Sequence, residues 1–205
     1  MHALRFSILA AALFAAACRT APRDAPILAR ANVADGFSSY RILRVGVMPF
    51  QGSSVDAAQA QVLQGSLGAE MQAVSPYEIV LLGERDLQEV RSADAHRLGW
   101  YPTETIISVA RRHRLDGLVF GTVVRQQQFP PLQFDMQVDL VAAETGAPVW
   151  SALVQLDAAD PRVQEGLEAY YGGRGDDSGQ PGWRIALLAP NRFARFAAWQ
   201  VASLL

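Results

Sequence analysis

The polar residues of this sequence that could carry out catalysis are few and widely spaced. Asp135 and Asp139 share one face of a predicted strand but lie about 13 Å apart, too far for a paired acid and base. We interpret that face as solvated. Ser66, within Gly65–Ser66–Leu67–Gly68, falls inside a predicted helix with no strand before it, so it is not a nucleophile elbow. The sequence therefore predicts a protein that is not an enzyme.

Metal and nucleic-acid sites are not indicated either. Neither His96 nor His113 has a Cys, His or carboxylate at a metal-ligand spacing, and we expect both to be surface or partly buried residues. All 18 cationic residues are Arg and the net charge is -2, which argues against a phosphate-backbone binder and excludes lysine chemistry. Arg111, Arg112 and Arg114 lie at a predicted helix carboxyl end, where cations offset the dipole. We expect no metal, cofactor or nucleic-acid partner.

Cys18 is the one residue with a clear chemical context. A basic start with Arg5 leads into the apolar run Phe6 to Phe14, and Ala15–Ala16–Ala17 supplies the small residues that a signal peptidase requires. Residues 1–17 are therefore predicted to be a signal peptide, cut between Ala17 and Cys18. As the only cysteine, Cys18 excludes intrachain disulfides.

Two fates of Cys18 agree with this pattern. Small residues followed by cysteine resemble a lipobox, which implies acylation of the thiol by palmitate-like chains and attachment to a membrane. Ala15 departs from that motif, which usually has Leu there. Ordinary cleavage at the same bond, leaving an unmodified cysteine, is the alternative. Arg19 follows the cysteine where enterobacterial inner-membrane lipoproteins have Asp, and this resemblance implies an outer-membrane address on the periplasmic face, ahead of the inner membrane.

The remaining chain is predicted to be a flexible tether, residues 18–40, followed by one mixed α/β domain, residues 41–205. Strands are predicted at 42–50, 77–82 and 118–124, with helices at 55–74, 84–91 and 103–114 between them. Ser54 or Asp56 would cap the first helix, whose Leu63, Leu67, Met71 and Val74 share one face. The order β-α-β-α-α-β-β-β-α implies a mixed parallel and antiparallel sheet of about five strands with helices packed on it.

An antiparallel hairpin is predicted where the apolar pattern changes to period two. Residues 132–141 and 147–156 alternate around a Glu144–Ala147 turn. One covered face of an ordinary sheet explains the alternation. A membrane-spanning hairpin of a secretion channel, with Phe134, Met136, Val138 and Leu140 facing lipid, is the alternative.

The carboxyl-terminal part is predicted to hold two more helices and a loop. Residues 160–170 could be helical, a flexible loop is expected at about 171–183, and Pro190–Asn191 opens a last helix. That loop contains Arg174–Gly175–Asp176, a cell-adhesion tripeptide that carries little weight at three residues. On the last helix, Arg192, Arg195 and Trp199 lie away from the phenylalanine stripe. They indicate either solvated arginines on a helix docked against the sheet or a membrane interface.

Three phrases of the sequence resemble a known group of envelope lipoproteins. They are residues 81–90 (LLGERDLQEV), 115–123 (LDGLVFGTV) and 138–151 (VDLVAAETGAPVWS). The set resembles proteins related to the curli-secretion component, and is similar in architecture to the lipoprotein activator of penicillin-binding proteins and to the amino-terminal domain of the Tol-system periplasmic protein.

The resemblance implies a mixed sheet with helices and a non-catalytic role in envelope assembly, secretion or cell-wall regulation. We therefore expect a lipid-anchored protein that acts through protein contacts, with an envelope protein as partner and a homo-oligomer as a further possibility. A subunit of an outer-membrane secretion channel is the alternative, and an enzyme is the second.

Overall fold

A six-stranded sheet with helices on both faces forms the folded part of the chain. The computed structural model describes residues 25–93, 101–172 and 182–205. The strands are β1 (Arg30–Val33), β2 (Arg44–Val47), β3 (Glu78–Leu81), β4 (Gly117–Gln127), β5 (Gln133–Ala142) and β6 (Pro148–Asp157). The helices are α1 (Ala57–Val74), α2 (Glu84–Ala93), α3 (Thr103–His113), α4 (Pro161–Tyr171), α5 (Gly182–Ala186) and α6 (Pro190–Ala202). A mixed α/β fold was predicted and is confirmed.

The strand order across the sheet is β1-β6-β5-β4-β2-β3. The pairs β2–β3 and β2–β4 are parallel, and the remaining pairs are antiparallel. Strand β4, predicted at 118–124, lies inside the sheet between β5 and β2. The sixth strand is β1, which the sequence pattern did not indicate.

Helix α1 forms where the apolar spacing predicted it. Asp56 caps this helix. Its carboxylate accepts from the backbone N–H of Gln59 at 2.8 Å, and the Gln59 side-chain oxygen accepts from the backbone N–H of Asp56 at 3.4 Å. Leu63, Leu67 and Met71 are buried against the sheet as predicted, whereas Val74 is exposed because the helix ends there.

Two cores lie on opposite faces of the sheet. Helices α1, α4 and α6 cover one face, with Val45, Val119 and Trp150 among its buried residues. Helices α2 and α3 cover β2, β3, β4 and the end of β5 on the other face, where Phe120 and Val141 are buried. Leu81 lies in the strand predicted at 77–82 but is 53% exposed, because β3 is the edge strand of the sheet.

The hairpin β5–β6 is part of this sheet. Met136, Val138, Leu140 and Val154 are all buried in the core that includes α6. The alternation therefore comes from one covered sheet face, as predicted, and the alternative in which these side chains face lipid is wrong. In the described part of the chain, no helix combines the length and apolarity needed to cross a membrane.

The predicted tether is wrong for the residues that the structure describes. Residues 30–33 form β1, which pairs antiparallel with β6. Before β1, the Gln200 side chain accepts from the N–H groups of Leu28 and Ala29 at 2.6 and 3.4 Å, and it donates to the Pro26 carbonyl at 2.9 Å. Residues 25–33 are therefore docked on the domain by α6 and β6, which are distant in sequence.

The last predicted elements need smaller corrections. Helix α4 confirms the helix at 160–170, with Asp160 as its cap. The loop expected at 171–183 is shorter where it can be described, since Tyr171 belongs to α4 and Gly182 begins α5. Cys18, His96 and the Arg174–Gly175–Asp176 tripeptide lie outside the described residues.

Candidate functional site

One half of the sheet's second face carries no described helix. Paired residues of antiparallel strands point to the same side, and three rows can be traced across β5, β6 and β1. The rows are Asp139–Ser151–Asn32, Gln137–Leu153–Arg30 and Asp135–Gln155. We call these eight residues the open face.

The open face is polar around a single apolar side chain. Leu153 lies at its centre and is 40% exposed, while Arg30, Asn32 and Gln155 around it are exposed. An apolar centre with a polar rim is the usual arrangement in a protein–protein contact.

The acidic residues of the open face are buried, contrary to the solvated face that the sequence suggested. Asp135 accepts from Arg125 Nε at 2.9 Å and from Nη2 at 3.1 Å, across the register between β4 and β5. This two-point pair satisfies both carboxylate oxygens and lets the side chain sit below the surface.

Asp139 is held by neutral partners. It is only 1% exposed, the Tyr101 hydroxyl donates to it at 2.7 Å, and the Gln137 amide donates to both oxygens at 3.1 Å. Tyr101 itself stacks on Phe120, with ring centroids 4.4 Å apart. Burial, and then the charge and hydrogen bond of Asp139, raise the pKa of Tyr101 far above its ordinary value, so the hydroxyl remains a donor.

These two carboxylates are structural supports of the surface. The four-residue spacing along β5 separates them by about 13 Å, and each already has its own partners. Tyr101 and Arg125 were not singled out from the sequence. Only the register of β4 with β5 and the stacking on Phe120 place them there.

A cleft of about 500 Å³ opens at the carboxyl ends of the parallel strands β2 and β4. It lies between the amino ends of α1 and α2, where a helix dipole would favour an anion. However, Asp56 already caps α1, and Glu84 begins α2. These carboxylates place negative charge where an anionic ligand would bind, so the cleft does not have the character of a phosphate site.

His113 belongs to a cluster that joins α2 to α3. Its Nε2 lies 3.0 Å from Asp86 Oδ1, and Arg112 contacts both Asp86 at 3.1 Å and Glu89 at 2.8 Å. Burial alone would raise the pKa of Asp86. The hydrogen bond and charge of His113, with hydrogen bonds from the Gly83 backbone and Arg112, outweigh burial and hold the pKa of Asp86 below its ordinary value. Within the described ranges, no group of three or more His, Cys, Asp or Glu could hold a metal ion.

Helix α6 is a core element and does not present Trp199 to a membrane. Trp199 is buried, stacks on Phe196 with centroids 5.8 Å apart, and contacts the Tyr170 ring. Arg195 is not simply solvated, because its Nε donates to Glu70 of α1 at 3.0 Å, and Tyr170 donates to the same carboxylate at 2.7 Å. The membrane interface considered for this helix is therefore wrong for Trp199.

Comparison with protein families and with curated proteins finds no match. Solved structures similar to the chain include the PelC dodecamer from Paraburkholderia phytofirmans, with a TM-score of 0.47, 10% identity, and coverage of 82% of this chain and 95% of that one.

Two further structures are similar over shorter parts of the chain. Lipoprotein GNA1162 from Neisseria meningitidis has a TM-score of 0.40, 14% identity and coverage of 70% and 91%. The LpoB C-terminal domain from Escherichia coli has a TM-score of 0.36, 14% identity and coverage of 58% and 91%. At TM-scores below 0.5, these likenesses leave the function of the chain to be inferred from its own residues.

Proposed function

We propose that this chain is an exported lipoprotein, anchored through Cys18, that acts in the cell envelope by binding another protein through the open face. The anchor is supported by the signal-peptide pattern and by the small residues before Cys18. By the resemblance in residue pattern, Arg19 favours the outer membrane and its periplasmic face. No catalytic step is part of this proposal.

The observation that carries the protein contact is the uneven covering of the sheet. Helices α1, α4 and α6 cover the central strands on one face, whereas α2 and α3 leave Leu153 and its neighbours exposed on the other. Buried carboxylates fixed by Arg125 and Tyr101 hold the strands beneath this surface in one arrangement. A surface that is ordered before binding loses little entropy on association.

Acylation is tested by labelling cells with a clickable palmitate analogue and measuring the mass of the mature protein by mass spectrometry. We expect label and added lipid mass on the wild-type protein and neither on the Cys18→Ser variant. Equal labelling of the two proteins, or a mature mass without lipid, would show that the cysteine stays unmodified. A density gradient then locates the protein, and recovery in the inner-membrane band would contradict the outer-membrane address.

The contact surface is tested with a photo-crosslinking amino acid in place of Leu153 in living cells. The matched control carries the same amino acid in place of Val62, which is 45% exposed on α1 in the opposite layer. We expect a discrete crosslinked product from position 153 and none from position 62. Equal products from both positions, or none from position 153, would rule out the open face. A product that contains only this chain would identify a second copy as the partner.

A further inference from the structure

The most exposed large apolar side chain of the described residues is at the end of the β4–β5 hairpin. Phe129 is 81% exposed there, and Val124 nearby is 57% exposed. Residues 124–133 (VRQQQFPPLQ) contain no acidic side chain. We call residues 128–132 the hairpin tip.

The hairpin tip is an ordered structure. Gln127 donates its side-chain amide to the carbonyls of Phe129 at 3.1 Å and Pro131 at 2.7 Å. Leu132, at the base, is 1% exposed, and its carbonyl accepts from the Ala158 N–H at 2.9 Å. Phe129 is therefore held outward by a loop whose own groups are already bonded.

The chain enters the sheet from the same end as the hairpin tip. Arg30 is opposite Leu153, which is opposite Gln137, so β1 begins level with Gln137 on β5. From there β5 extends four more residues, to Gln133, about 13 Å towards the tip. Since β1 is antiparallel to β6, it runs away from the tip, and the residues before it lie on the tip side.

Few residues separate this entry point from Cys18. Gln200 fixes the chain from Pro26 onwards, and Ala25 is buried. Seven residue steps join Cys18 to Ala25, and they span at most about 25 Å when fully extended. A bilayer that holds acyl chains on Cys18 must therefore lie within that distance of Ala25, which precedes the strand that begins on the tip side of the sheet.

We propose that the hairpin tip is a second membrane contact, in which Phe129 enters the headgroup region of a phospholipid bilayer. The inference rests on the proposed lipid anchor, which brings the bilayer within reach. An apolar ring flanked by neutral amides and prolines suits the boundary between headgroups and acyl chains.

The anchor makes a contact of this size effective. One phenylalanine binds a bilayer weakly by itself, but a short tether turns its insertion into an intramolecular step at high effective concentration. The two contacts together fix the orientation of the domain. The strands then run away from the bilayer, and the open face remains accessible beside it.

The test uses the fact that the sequence has no cysteine other than Cys18. In the acylated full mature protein Cys18 has no free thiol, so Phe129→Cys supplies one site for an environment-sensitive fluorophore. The matched control is Glu144→Cys, in the turn at the opposite end of β5. Both proteins are reconstituted into vesicles of phosphatidylethanolamine and phosphatidylglycerol, with and without spin-labelled lipid.

We expect a blue-shifted emission at position 129 that spin-labelled lipid quenches, and neither effect at position 144. Unchanged emission at position 129 would overturn the membrane contact, and the hairpin tip would then be a candidate contact for a protein partner. Equal shifts at both positions would overturn the orientation.

A second arm separates this inference from the anchor. The mature chain with a hexahistidine segment in place of Cys18 is attached to vesicles through nickel-chelating lipid, and the two positions are labelled as before. A shift confined to position 129 supports the contact even if cells do not acylate Cys18. No shift in this arm overturns the contact even if Cys18 is acylated.

Discussion

At the scale of single residues, buried polar groups hold the second face of the sheet together. Asp139 accepts hydrogen bonds from Tyr101 and Gln137, and Asp135 pairs with Arg125. A buried carboxylate is tolerated only when its oxygens have partners, so each donor contributes more to stability than an exposed hydrogen bond would.

Tyr101→Phe should lower the free energy of unfolding by about 1–3 kcal/mol, because the loss of one donor leaves Asp139 buried with Gln137 alone. Urea unfolding at neutral pH measures the change. The control is Tyr40→Phe, whose hydroxyl makes only a long, exposed contact of 3.4 Å to Thr145. Equal unfolding midpoints for the two variants would show that the Tyr101 hydroxyl does not contribute to the stability of the fold.

Asp86 should make the protein sensitive to acid. Its pKa in the folded state is below its ordinary value, so its stabilisation is present above about pH 4 and is lost as the pH falls through the folded pKa. Asp86→Asn should therefore be less stable than the wild type at neutral pH, with a difference that shrinks in acid. Urea unfolding across this range measures it, and Asp35→Asn, in an exposed turn, should keep the acid dependence of the wild type.

At the scale of elements, α6 joins the beginning of the described chain to its end. Its residue Gln200 is fully buried and makes three hydrogen bonds with residues 26–29. The same helix is joined to α1 and α4 through Glu70, so one element fixes both the helical layer and the entry of the chain.

Gln200→Met keeps the side-chain length but removes these three hydrogen bonds. We expect a loss of roughly 1–3 kcal/mol in unfolding free energy and faster hydrogen exchange in residues 28–33. Gln155→Met, on exposed β6 surface, is the control and should change neither quantity. Slow exchange in residues 28–33 of the Gln200 variant would mean that pairing with β6 suffices to dock this segment.

At the scale of the whole molecule, the folded unit includes residues that the composition assigned to a tether. A chain that begins at Ala25 should therefore unfold at a higher urea concentration than one that begins at Arg41. The shorter chain loses β1, buried Ala25 and Ala29, and the partners of Gln200. Because it buries less surface, its denaturant slope should also be smaller. Identical midpoints and slopes would show that residues 25–40 add nothing to the fold.

The early docking of the chain also limits how far the domain could reach from the proposed anchor. If the tether ended at residue 40, an anchored domain could move well away from the bilayer. With the chain fixed from Pro26, an anchor on Cys18 would instead keep the domain close to the bilayer. This difference could not be inferred from length and composition.

Elements with a local sequence signal could be predicted from the residues alone. A period-two pattern gave β5 and β6, the spacing of Leu63, Leu67 and Met71 gave α1, and Asp56 marked where α1 begins. These patterns arise because one side of each element is buried, so apolar residues recur along the sequence at the period of that element. The class of fold followed from their order.

Features that depend on a partner far along the chain could not be predicted in this way and follow from the folded arrangement. Strand β1 (RANV) has no apolar alternation, since all four of its residues are exposed, and it is a strand because β6 supplies its backbone hydrogen bonds. Leu81 is apolar but exposed because no strand follows β3. Asp139 looks like a surface residue in the sequence and is buried because Tyr101 covers it from 38 residues away. Hydrogen bonds between residues far apart in the chain produce no periodic pattern of residue types in the sequence, because only the fold brings the partners together.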